Sequence, residues 1–254
     1  MNDEQLADVD PTDGAVLEDP IEAATVAAYR KAGLIPGGLG PVAPLRRLVA
    51  AYGLVVEEIS KLSRASADHY FRKHGGPSIE RGEQEDERLS GFMYANAGGG
   101  WILTELDHPL TRRRFTIAHE IGHYHLHFLP ALEAAPNRTG LTLREELASG
   151  PEVGPEPARS EGNLTLDSIP APRAANSITP AQMEEDADRF AAALLLPPSV
   201  VRDLTAKHAP RCGGRRAILT RLLAGECLVS TAAVGRRLGD LGLGRTEPAA
   251  GAAQ

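Results

Sequence analysis

Thiols are nearly missing from this sequence: Cys212 and Cys227 are the only two in 254 residues. They form no CxxC pair, which excludes a disulfide framework, and they read as the reduced thiols of a cytoplasmic protein. Aromatic residues are scarce at 4%, so a core must be assembled from Ala, Leu, Val and Ile. The longest apolar run, Phe190–Leu196, is far too short to span a bilayer. No cationic segment followed by an apolar one opens the chain, so no signal peptide is visible. A basic surplus is also lacking. The net charge of −7 argues against general coating of nucleic acid. That charge is uneven: residues 1–22 carry eight acids and no base, whereas residues 202–245 carry nine Arg/Lys against three acids.

What is present reads as an α+β chain, mostly helical, with a small antiparallel sheet. Residues 1–20 have the composition of a disordered acidic tail. Helices are expected over Ile21–Ala32 and Pro44–Tyr52, each stopped by a glycine, and a strand over Leu54–Ile59. Residues 72–88 read as a loop. Leu89–Ala95 and Trp101–Leu106 flank Asn96-Ala97-Gly98-Gly99-Gly100, the pattern of a β-hairpin. A helix over Arg112–Leu129 follows, with Thr111 as N-cap and Pro130 as stop. Residues 131–178 are rich in Pro, Ser, Gly and Glu and read as a long surface insertion within a domain spanning 21–200. Thr179-Pro180-Ala181-Gln182 has a capping-box arrangement, opening a helix that Pro197-Pro198 ends. Residues 201–244 read as a small helical region and 245–254 as a flexible tail.

The most informative segment is His119-Glu120-Ile121-Gly122-His123. On a helix, His119 and His123 lie one turn apart on one face, so both rings can reach one ion. Glu120 is offset around the helix, which suits a general base acting on water at the metal. A catalytic zinc site needs a third protein ligand and an open position. Taking Met183, Ala187, Phe190 and Leu194 as a buried stripe, Glu184 and Asp188 share its flank one turn apart. Glu184 then reads as the third metal ligand, and Asp188 as the hydrogen-bond acceptor for a ligand histidine. Glu185 and Asp186 read as a solvated acidic start to the helix. His127 would be a ligand only if the chain bent sharply after His123; His125 falls on another face. Tyr124, Tyr94 and His108 are candidates for an oxyanion donor, and the sequence does not choose among them. Zinc follows from the ligand set, and such His/His/carboxylate sites also take manganese.

Together, RRRFTIAHEIGHYHLH, the preceding LSGFMYANAGGGWILTEL and the later MEEDADRFAAALLLP resemble the ImmA/IrrE metallopeptidases. The resemblance spans roughly residues 44–130 and 179–240. It implies a zincin-like α+β fold, His119, His123 and a helix-borne acid as ligands, and Glu120 as base. It also implies a role: cleaving a partner helix-turn-helix repressor, and so derepressing stress-response or mobile-element genes. Two departures stand out. Sixty-one positions separate His123 from Glu184, where the family's ligand helices are usually closer, and Asp188 stands where Asn is common.

Two other readings compete. Arg215–Ala224 and Val229–Leu238 have helix-turn-helix spacing, with Ser230 as N-cap and Arg236 and Arg237 facing phosphate. This leaves direct DNA binding open against a plain packing role with a solvated basic face. Alternatively, the metal site is a sensor, and the protein sequesters its repressor without cutting it.

Overall fold

A computed structural model describes residues 19–79, 87–135, 141–149 and 178–243. The expected tails, apart from residues 19 and 20, and most of the expected insertion lie outside these residues. Helix α1 (Pro20–Lys31) starts where Asp19 accepts the Ile21 N–H, and α2 (Leu45–Ala51) precedes strand β1 (Leu54–Ile59). Helix α3 (Arg64–Lys73) fills a stretch whose start carried no expectation and whose end overlaps the expected loop. Ser63 caps it, and its apolar face is centred on Ala67 and Phe71. Strands β2 (Leu89–Asn96) and β3 (Gly99–Glu105) form the hairpin.

The sheet is mixed, not antiparallel. Its order is β1-β3-β2-β4, and β1 runs parallel to β3: α3 leaves and re-enters at the same end of the sheet, β2 returns antiparallel one place away, and β3 folds back between them. The fourth strand, β4 (Thr142–Ala148), lies antiparallel on the outer side of β2. Residues 131–178 are therefore not one surface insertion. Leu141, Leu143, Glu145 and Leu147 alternate inward, a period-2 signal masked in the sequence by the prolines that follow.

Helix α4 (Leu110–His123) begins at Pro109, not at Thr111, since the proline's fixed φ suits the position just before a helix. Arg112 donates to Ser90 on β2, Arg113 to Glu58 on β1, and Arg114 to the carbonyl of Ala43. The basic lead thus pins α4 across the sheet. Beyond His123 the backbone widens into a π turn at Tyr124–Phe128, then resumes as α5 (Leu129–Ala134). Pro130 does not stop the helix. A proline in a regular α-helix collides with the carbonyl four residues back, and the π turn gives Leu129 N–H a partner at Tyr124 instead.

Helix α6 (Pro180–Leu195) opens with the expected reciprocal Thr179/Gln182 cap. It crosses α4 at backbone distance: a Cβ on Gly122 would lie 3.1 Å from the Ala187 Cα and 3.2 Å from its carbonyl oxygen. Helices α7 (Pro198–Cys212), α8 (Arg216–Cys227) and α9 (Thr231–Asp240) follow. They share one apolar core with α1, α2, α4 and α6, so the core is continuous across the expected boundary at 200. A second, smaller cluster around Phe71 and Phe92 lies between α3 and the sheet's other face.

The helices α8 and α9 meet at 111°, and Ser230 caps α9. Arg237, however, does not face outward as a phosphate contact would. It is buried, ion-paired with Glu22, and donates to the Leu196 carbonyl. Among the described residues no single helix is long and apolar enough to cross a membrane.

The Gly122 contact yields a stability prediction. Gly122→Val forces α6 away from α4 and should cost about 1–3 kcal/mol, the usual range for overpacking. Urea unfolding measures it; an unchanged midpoint would show that the helices do not need this approach.

Candidate metal centre

Four side chains converge between α4, α6 and β4. Ligand atoms of His119, His123, Glu145 and Glu184 all lie within 4.8 Å of one another. The two imidazoles come from successive turns of α4, with their Nε2 atoms 2.9 Å apart. Glu184 approaches both from α6, at 3.5 Å from each Nε2. Glu145 approaches from β4, 3.0 Å from His123 Nε2 and 3.4 Å from His119 Nε2. Asp188, one turn beyond Glu184, lies 2.9 Å from His119 Nδ1. An ionised carboxylate only accepts, so Nδ1 carries the proton and Nε2 turns its lone pair to the cluster.

The structure therefore brings His119, His123 and Glu184 together, with Asp188 behind His119 and Glu120 alongside. Glu185 points outward. His127 does not join them: the π turn swings it to the Met183 carbonyl at 3.2 Å, and burial pushes its pKa down to about 4. His125 pairs with the Tyr52 hydroxyl at 2.7 Å. Of the oxyanion candidates, Tyr124 packs against Tyr52 and Phe128 in the core. Tyr94 packs on Phe71 and Trp101 across the sheet. His108 lies half-buried in the turn before α4.

Glu145 is the residue that sequence reasoning missed. Its signal was an acid in the inward register between Leu143 and Leu147, but only a strand assignment for 142–148 makes that register visible.

Several oxygens here are buried without a hydrogen bond: both of Glu120, both of Glu145 and both of Glu184. The Glu145–His distances are those of ion pairs, yet the angles are not those of hydrogen bonds. The four ligand atoms crowd within 4.8 Å of one another, as the donors to one ion do. Buried carboxylates without a partner cost several kcal/mol each, and a divalent cation at that point would neutralise them. Two imidazole nitrogens with carboxylate oxygens suit zinc or manganese. The residues present thus fit a metal.

The electrostatics agree. Burial alone would lower the His119 pKa, but Asp188, Glu145 and Glu184 together raise it well above the ordinary value. Burial opposes the Glu145 charge, and the imidazoles of His123 and His119 more than reverse it, holding its carboxyl well below the usual range. Glu120 goes the other way: burial and the neighbouring Glu145 charge raise it well above the usual range. A cavity of about 920 Å³ opens beside the cluster, lined in part by Glu184, Asp188, Phe115, Arg189 and Arg236.

Residues 53–148 match the family model of the IrrE N-terminal-like domain, a peptidase family. The match covers α4 and β4 and stops before α6, so it includes His119, Glu120, His123 and Glu145 but neither Glu184 nor Asp188. It agrees with the resemblance read from the motifs. No curated protein matches the chain.

A pH dependence follows for metal-free protein. The raised His119 and His123 values stabilise the fold fully below the free-histidine value of 6.5, and this is lost as pH rises through the folded values. The raised Glu120 value costs stability above the ordinary carboxylate value of 4.5. The depressed Glu145 contributes above 4.5 and is lost only in strong acid. Chelated protein should therefore melt at lower temperature at pH 9 than at pH 6, and added zinc should reverse the loss. A melting temperature that climbs steadily from pH 6 to pH 9 without metal would refute this balance.

Proposed function

We propose that the chain is a metal-dependent endopeptidase that cuts one bond in a specific partner protein, a helix-turn-helix transcriptional repressor, and thereby derepresses the genes it controls. The observation that supports this most is the joint placement of His119, His123 and Glu184 around one point, with the buried Glu120 carboxylate beside it. The peptidase-family match over α4 agrees with it.

When bound, a zinc or manganese ion supplies Lewis acidity, polarising the scissile carbonyl and acidifying the attacking water. The chain supplies the rest. His119, His123 and Glu184 hold the ion, and Asp188 fixes the His119 ring through Nδ1. Glu120 takes the water's proton at its carboxylate and returns it to the leaving amine.

One observation favours a second reading. Four protein donors converge where a catalytic site needs three and an open position. A closed site of that kind serves a sensor, and the protein would then hold its repressor in a metal-dependent way without cutting it. For direct DNA binding, α9 keeps only Arg236 exposed of the two arginines expected to face phosphate.

Mixing the protein, zinc or manganese, and candidate helix-turn-helix repressors should yield a single cut in one of them. Glu120→Gln should keep the metal and lower cleavage by about a hundredfold or more. Cleavage retained in that variant would sink the mechanism. Metal-dependent repressor binding with no cut by any form would select the sensor.

A further inference from the structure

We infer that β4 is a built-in stand-in for the peptide substrate: it occupies the outer edge of β2, and Glu145 fills the place beside Glu120 and the two imidazoles where the attacking water and scissile carbonyl belong. This rests on the peptidase reading.

The first ground is the edge itself. β2 runs antiparallel to β3, and its other side would be a bare row of N–H and C=O groups without β4. That edge passes directly by the general base. A Cβ on Gly91 would lie 2.5 Å from Thr116 Cγ2 and 3.0 Å from a Glu120 carboxylate oxygen, so only glycine lets β2 run so close to α4. An extended polypeptide added to this edge is carried past Glu120, with main-chain hydrogen bonds supplying affinity and alternate side chains supplying selectivity.

The second ground is how β4 is seated. It pairs with β2 from Asn96↔Thr142 to Leu89↔Ala148, placing Glu145 opposite Met93. Leu143, Glu145 and Leu147 all point inward and are buried, so the carboxylate is flanked by two apolar anchors as a scissile bond is flanked by substrate side chains. A side-chain carboxylate offers oxygen to the cluster but no bond to cut, so the strand survives where a substrate would not. The third ground is the outward face. Glu146 pairs with Arg64 of α3 and with Arg144, whose guanidinium lies 5.7 Å from the Phe92 ring centre. These polar contacts latch the strand on the α3 side, while Leu143 seats it in the main core on the other.

The inference thus reconciles four donors with a catalytic motif: the site is closed while β4 is seated and becomes a three-donor site when the strand leaves the edge. It also defines the substrate as a chain that can become extended, with apolar side chains on either side of the cut.

Manganese-loaded full-length protein tests this through water-proton relaxation and metal competition, neither of which needs catalysis. In wild-type protein Glu145 should hold one of the ion's coordination positions and so leave fewer exchangeable waters than a three-donor site would. Glu145→Ala should gain one and bind manganese roughly tenfold or more weakly. A second arm uses Leu143→Asp combined with Leu147→Asp to unseat the strand. It should capture a labelled peptide of sequence 141–149, which wild-type protein refuses, and the same peptide with Ala in place of Glu145 should bind less well. An exchangeable-water count and a metal affinity both unmoved by Glu145→Ala overturn the inference, as does a folded double variant that refuses the peptide. If the double variant does not fold, the Glu145 arm decides alone. A Glu145→Ala protein that gains water yet cuts no repressor overturns the peptidase reading and not the seating of β4.

Discussion

The structure depends most on the contact between Gly122 and Ala187, where α4 and α6 cross with almost no side chain between them. A histidine pair on one helix cannot hold an ion alone, because two donors leave most of the coordination shell to water. The carboxylates must come from elsewhere, and their reach is short. Glu184 comes to 3.5 Å from both ring nitrogens, and Asp188 to 2.9 Å from the far side of His119, because the helix backbones nearly touch one turn away. The ends of α6 are fixed in turn. The Tyr29 hydroxyl donates to the Leu194 carbonyl and Arg237 to that of Leu196, so α1 and α9 hold α6 at the register that presents its acids. This is why the C-terminal helices share the core with the metal helix.

What the sequence made legible is what repeats or caps. The strand at Leu54–Ile59, the hairpin, and the capped start of α6 at Thr179 were readable because each rests on local chemistry: alternation, a glycine turn, a reciprocal cap. The placement of Glu184 and Asp188 on one flank was readable from helical spacing, even across 61 positions. The parallel pairing of β1 with β3 was not, because it depends on β3 folding back between β1 and β2, which no local signal announces. The π turn was not, because Pro130 taken alone signals an end, and only the wider hydrogen bonding lets the helix continue. Arg237 looked like a surface cation because it sits in a basic stretch. Its partner, Glu22, lies more than two hundred positions away.

Glu145 shows why composition misleads at a site. An acid in a stretch rich in Pro and Glu reads as solvated, and on average that is right. Yet burying a carboxylate between two leucines is so unfavourable that the fold tolerates it only where opposite charge waits. The two imidazoles provide it. For Glu120, by contrast, burial and the Glu145 charge outweigh the pull of His119, which is why the two carboxyls are pushed in opposite directions.

That separation bears on whether the closed arrangement is an end state or a resting one. A purely structural metal site gains nothing from Glu120: it is not a donor in the cluster, it is fully buried, and its charge is disfavoured there. A structural site would be more stable with an apolar residue at that position. A hydrolytic site needs that carboxyl, but only once something other than Glu145 stands in front of it. The cost carried by Glu120 while β4 is seated thus makes sense if the strand leaves, since the same carboxyl then faces water and a peptide carbonyl in place of a second anion. On the peptidase reading, the fold holds Glu120 ready, and the occupant of the β2 edge decides whether it is used.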